Sequence, residues 1–95
     1  MAEQSLQSMF HQVFVTQRFI QQLSSAEDMI TDVSDYLDEH EVPHEDTFFQ
    51  IRTQIRQLQT NLQFILAAQL LDVCRAIETY IRTNGRLPQL SVHFA

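Results

Sequence analysis

Residues 40–44 read HEVPH, and that spacing of His40, Glu41 and His44 is the H-E-x-x-H pattern of zinc proteases. The chemistry of that pattern needs both imidazoles on one face of a helix, holding the metal while the glutamate acts as general base. Pro43 stands between the two histidines. It lacks an amide and clashes with the preceding turn, so a helix aligning the two rings ends before it. A catalytic zinc also requires a third protein ligand and an open coordination position. Asp38, Glu45 and Asp46 are near in sequence but are not spaced to supply that ligand. HEVPH is therefore expected to be a solvated turn between helices, with no metal and no cofactor.

The remaining reactive residues fare no better. Cys74 lies in an apolar helical run and is expected to be a buried, inert thiol. Ser24 and Ser25 fit helix caps better than hydrolase serines, and His11 and His93 have no patterned partners. A chain with one glycine has no loop to cradle phosphate. The expectation is a protein that is not an enzyme.

Composition narrows the class further. Ninety-five residues fit one domain, and 44% hydrophobic residues is a folding composition. One glycine and two prolines are too few for the many turns of a β-sandwich, so long helices are favoured. The net charge of −6 repels phosphate and argues against direct nucleic-acid binding. The most apolar run, Leu62 to Ile77, is interrupted by Asp72 and Arg75 and is too short for a bilayer, so no membrane association is expected. A lone cysteine and the absence of a basic-then-apolar start in MAEQSLQSMF predict an intracellular, cytoplasmic protein.

The elements follow from hydrophobic spacing. Leu6, Met9, Val13, Thr16, Ile20 and Leu23 recur every three or four residues and predict a first helix over about 3–23. Ser24-x-x-Glu27 and Ser25-x-x-Asp28 both fit capping boxes, which predicts a break and a second helix over about 26–40. That second helix is two-sided, with Asp32, Asp35, Asp38 and Glu39 on its acidic face. A third helix is predicted over about 44–84, ended by Gly85. Its apolar stripe runs Phe48, Ile51, Ile55, Leu58, Leu62, Leu66, Leu70, Val73, Ile77 and Tyr80, and the steps 58 to 62 to 66 look like a stutter. A split at Thr60-x-x-Gln63 would instead give a four-helix monomer. Residues 86–95 form an extended tail whose Leu90, Val92 and Phe94 alternate with polar residues and are expected to dock on the helices.

These elements predict an all-α fold: a three-helix antiparallel bundle in residues 1–85 with a long third helix, completed by homodimerisation. Two short helices cover only the front half of the third. Its back half, with Leu66, Leu70, Leu71, Val73 and Ile77, is then left for a dimer or partner interface. Val15 and Phe19 lie off the first helix's stripe and are candidates for binding a partner. The function expected is a non-catalytic interaction module, a small acidic helical dimer that sequesters or escorts another protein, chaperone-like or anti-activator-like. The alternative is an inhibitor that mimics nucleic acid through Asp32, Asp35, Asp38 and Glu39.

Overall fold

The protein, in a computed structural model that describes residues 2–91, is a hairpin of two long antiparallel helices. Helix α1 spans Ala2–Glu39 and helix α2 spans Glu45–Asn84. The molecule measures 65 × 22 × 15 Å with a radius of gyration of 19.5 Å, where a compact domain of this length would have about 12 Å.

The three-helix expectation is corrected at Ser24 and Ser25, where no break occurs. The stripe of α1 does not stop at Leu23 but continues as Glu27, Ile30, Ser34 and Leu37, keeping the alternation of three and four residues. Neither serine caps a helix. The Ser25 hydroxyl donates to the Gln21 carbonyl at 3.2 Å, a bond made inside a continuing helix. The Ser24 hydroxyl accepts from Gln59 Nε2 of α2 at 3.3 Å. With α1 running the full length of α2, the back half of α2 is not bare.

The stripe of α2 is corrected too. The residues turned toward α1 are Phe48, Arg52, Ile55, Gln59, Leu62, Leu66, Gln69, Val73, Ala76 and Tyr80, an unbroken heptad alternation with no stutter. Leu6, Val13, Ile55, Val73 and Tyr80 form the buried apolar core, joined by Thr16 and Ser34. The most buried of them, Leu6, is still 2% exposed. A two-helix hairpin has one seam and no interior, so it cannot enclose a side chain on all sides.

The connection is short and locally specified. At the end of α1 the Val42 amide donates to the Leu37 carbonyl (2.9 Å) and the Glu41 amide to the Asp38 carbonyl (3.1 Å). This is the Schellman pattern, with Glu41 at φ 57° in the left-handed position that glycine usually fills. At the end of α2 Gly85 takes that conformation at φ 68°, and its amide donates to the Ile81 carbonyl at 2.8 Å.

After Gly85 the chain turns back along α1. The Gln7 side-chain amide donates to the Ser91 carbonyl and accepts from its N–H, both at 2.7 Å. Glu3 Oε1 accepts from the Tyr80 hydroxyl and, at 2.9 Å, from Arg86, whose guanidinium lies 5.3 Å from the Tyr80 ring centroid. Leu90 is half-buried in this arrangement, while Val92 and Phe94 lie outside the described residues.

The clamp titrates at both ends of the pH scale. The Tyr80 hydroxyl first, then Arg86, hold the Glu3 carboxyl below its ordinary 4.5. A depressed carboxyl contributes stability above its unfolded value and loses it as pH falls through the folded one. The bond to Glu3 raises Tyr80 above 10.0, so its contribution is present below 10.0 and is lost as pH rises through the folded value. Amide NMR signals of Arg86 and Gln89 should therefore move toward free-tail positions as pH drops below 4.5 and again above 10.0. Glu3→Gln should remove the acid limb of that titration. Signals unmoved down to about pH 2 would show that Glu3 does not hold the tail.

Candidate functional site

The turn that carries HEVPH brings its two histidines to different partners. His40 stacks on Tyr36 with centroids 4.1 Å apart, and its Nδ1 lies 2.8 Å from the Tyr36 carbonyl. His44 turns inward, its side chain only 6% exposed, with the ring tilted against Phe48. Its Nδ1–H donates to the Val42 carbonyl at 2.8 Å, which leaves Nε2 facing Ser34 Oγ at 2.8 Å and Asp38 Oδ1 at 3.3 Å.

Asp38, His44 and Glu45 have donor atoms within 4.8 Å of one another, the only such group of three among the described residues. Each has a structural use. The Glu45 carboxylate accepts from its own amide first and from the His44 amide, which lowers its pKa and satisfies amides at the start of α2. The Ser34 hydroxyl holds the His44 ring across the turn, with the Asp38 carboxylate 3.3 Å from the same nitrogen. The cluster fastens one helix end to the other, and His40 is no part of it.

The helix surfaces are the larger feature. The seam occupies one stripe of each helix, and the residues beside it form two flanks. One flank is marked by Phe19, Leu23, Leu58 and Leu62, which line a shallow apolar cavity shared by both helices. Ser5 and Thr79 belong to the same side, lining a second cavity with Leu6, Met9 and Tyr80 near the open end. On this flank Phe19 is 52% and Leu58 51% exposed, and Met29, Val33, Tyr36, Ile51 and Ile65 are exposed as well. Val15 belongs to it and is half-buried.

The opposite flank differs along its length. Toward the turn it is polar, with Ser24, Thr31, Arg56 and Gln63. Toward the open end it is apolar. Phe10 and Phe14 meet edge to face at 5.0 Å, and Leu70, Ile77 and Ile81 follow on α2. Cys74 sits among them and is exposed, which corrects the buried thiol expected from its apolar run.

Among the other sequence candidates, Val73 is buried against α1 and Leu66 is half-buried in the same seam. Leu70 and Leu71 are exposed, and Ile77 is half-buried. Asp32, Asp35, Asp38 and Glu39 are all exposed, with Asp38 Oδ1 turned to within 3.3 Å of the His44 ring. Sequence reading did not pick out the exposed row Ile51, Leu58 and Ile65, because it assigned Ile51 and Leu58 to the helix-packing stripe. The signal was the seven-residue recurrence of three large aliphatic residues.

No helix among the described residues is long and apolar enough to cross a membrane. Compared with known proteins, the chain matches no family model, no curated protein and no solved structure.

Proposed function

We propose that this chain is a non-catalytic protein–protein interaction module: an acidic helical hairpin that pairs with a second copy and sequesters or escorts a partner protein. The observation that carries the reading is unspent surface. The chain exposes 7222 Å², whereas a compact protein of 11.1 kDa exposes about 5,650 Å². The excess, about 1,600 Å² per chain, is large enough for an obligate dimer interface. Large hydrophobic side chains stand on that surface, among them Phe19, Met29, Leu58, Phe64 and Leu71, and exposed apolar surface marks interaction sites.

Two flanks are available, and a symmetric pair uses one of them on each copy. The other flank, with Leu70 exposed beside Phe10 and Phe14, is then presented twice on the dimer and suits an amphipathic helix of a partner. Light scattering across a dilution series should give twice 11.1 kDa at every concentration. A tagged chain in its native cells should recover one stoichiometric partner, lost in Leu70→Ser/Leu71→Ser without loss of dimer mass. A stable monomer, or no stoichiometric partner, would overturn the corresponding half of the proposal.

The second reading, a nucleic-acid mimic, draws on the exposed carboxylates of Asp32, Asp35 and Glu39 on the outer side of α1. Its signature is steep loss of partner affinity with rising salt, which an apolar docking surface does not show.

A further inference from the structure

The flank that carries Phe19 and Leu58 has a second property besides its exposure: it has no charge. Its rows run through positions 12, 15, 19, 22, 26, 29, 33 and 36 of α1 and positions 51, 54, 58, 61, 65 and 68 of α2. Not one Asp, Glu, Lys, Arg or His occurs at any of them. At 1.5 Å per residue the face is about 36 Å long. With a molecular width of 22 Å it offers about 800 Å², the area each partner contributes to a standard stable interface.

Charge elsewhere is strongly polarised along the hairpin. Residues 24–60, the half that contains the turn, hold nine carboxylates and two arginines, Arg52 and Arg56. The open-end half holds three carboxylates and four arginines. Past Ala68 the α2 side of that face continues through Asp72, Arg75, Thr79 and Arg82, with Arg82 paired to Glu78 of its own helix at 2.6 Å. The turn half is thus acidic, and the open half is slightly basic.

We infer that a second copy of this chain docks on the uncharged flank with its hairpin reversed, forming a four-helix bundle whose two-fold axis crosses the hairpins near residues 24 and 58. This rests on the dimer reading above and adds the face and the orientation. A two-fold interface sets a surface against itself, so any charged row on it would meet its own sign. The uncharged flank is free of that penalty. The charge polarity then fixes the direction. Hairpins pointing the same way would place two acidic turns side by side. Reversed hairpins set each acidic turn against the partner's slightly basic open half, where Arg75 on one copy comes level with the turn of the other. The occupant is accordingly another acidic, polarised hairpin rather than a basic partner, which this charge-free face would not recognise.

Two measurements test this. Met29 is 67% exposed on the flank, so the isolated hairpin tolerates a polar side chain there. Met29→Asp should halve the light-scattering mass, from twice 11.1 kDa to 11.1 kDa, while Phe64→Asp on the outer side of α2 should leave it unchanged. The second measurement needs no disruption of the face. A nitroxide on Glu39→Cys in a Cys74→Ser background, read by pulsed dipolar spectroscopy, should give an inter-copy distance of about 45 Å or more, from some thirty residues of helical rise. A distance under about 30 Å would overturn the orientation, since copies pointing the same way bring the turns together. A dimer that survives Met29→Asp with its mass intact would overturn the face. A monomeric unmodified chain would instead overturn the dimer reading itself.

Discussion

Replacing Ser25 by proline is expected to destabilise the protein by about 3 kcal/mol or more, whereas Ser25→Ala should leave it unchanged or gain a few tenths. Ser25 sits on the outer side of α1, exposed, and its side chain bonds only the Gln21 carbonyl of its own helix. The substitution therefore acts through the backbone alone. Proline removes the amide of residue 25 and drives its ring against the carbonyl four residues earlier. A small domain has only about 5–15 kcal/mol in hand, so the loss should be visible as a large fall in the urea midpoint. A helix boundary at this point would behave in the opposite way. Proline is well tolerated at the first turn of a helix, and truncating a capping serine to alanine costs about 0.5–2 kcal/mol. Urea unfolding of the two variants thus separates one long helix from two short ones by sign as well as size. A Ser25→Pro chain within about 1 kcal/mol of the parent would show that α1 is broken there.

The reason this break looked plausible in the sequence is instructive. Ser24-x-x-Glu27 is a valid local stop signal, but local signals compete with the seam, and the seam carries on. Its continuation was obscured because Glu27 and Ser34 occupy seam positions, so the apolar pattern lapses where the geometric pattern does not. The same masking operates on α2. Ile51, Leu58 and Leu70 extend the aliphatic spacing of α2, yet beside them the hairpin faces α1 with Arg52, Gln59 and Gln69. Reading through the aliphatic residues forces two consecutive steps of four around Leu62, whereas the true seam steps from Ile55 to Gln59, Leu62, Leu66 and Gln69 without irregularity. The apparent stutter was the trace of two stripes spliced together, one facing α1 and one exposed beside it. What was legible without ambiguity rests on backbone chemistry: Pro43 at the connection, Gly85 at the left-handed stop, and an all-helical composition. The tail clamp was not legible, because Glu3, Tyr80 and Arg86 meet across nearly the whole chain length and no local pattern links them.

Gln69→Leu is expected to stabilise the protein by about 1–3 kcal/mol, which for a domain of this size raises the melting temperature by at least several degrees. Gln69 lies in the seam one turn from Val73, and its Oε1 is buried with no hydrogen-bond partner. A buried amide oxygen without a donor from the protein sits on the costly side of the hydrogen-bond balance. Leucine has similar length and volume, so it removes the polar atom without opening a cavity or crowding the seam. The usual reason to keep a buried polar residue in a helical seam is that it fixes register, since a uniformly apolar stripe can slide by a heptad. This hairpin does not depend on Gln69 for that. Five residues, 40–44, connect the helices, and the bonds from His44 to Ser34 and Val42 set the alignment at the turn. Removing the amide should therefore raise the urea midpoint while the slope and the light-scattering mass stay as they were. A loss of stability would mean that Gln69 Oε1 is satisfied in the assembled protein by a donor from outside this chain, and would place the partner at that level of the seam.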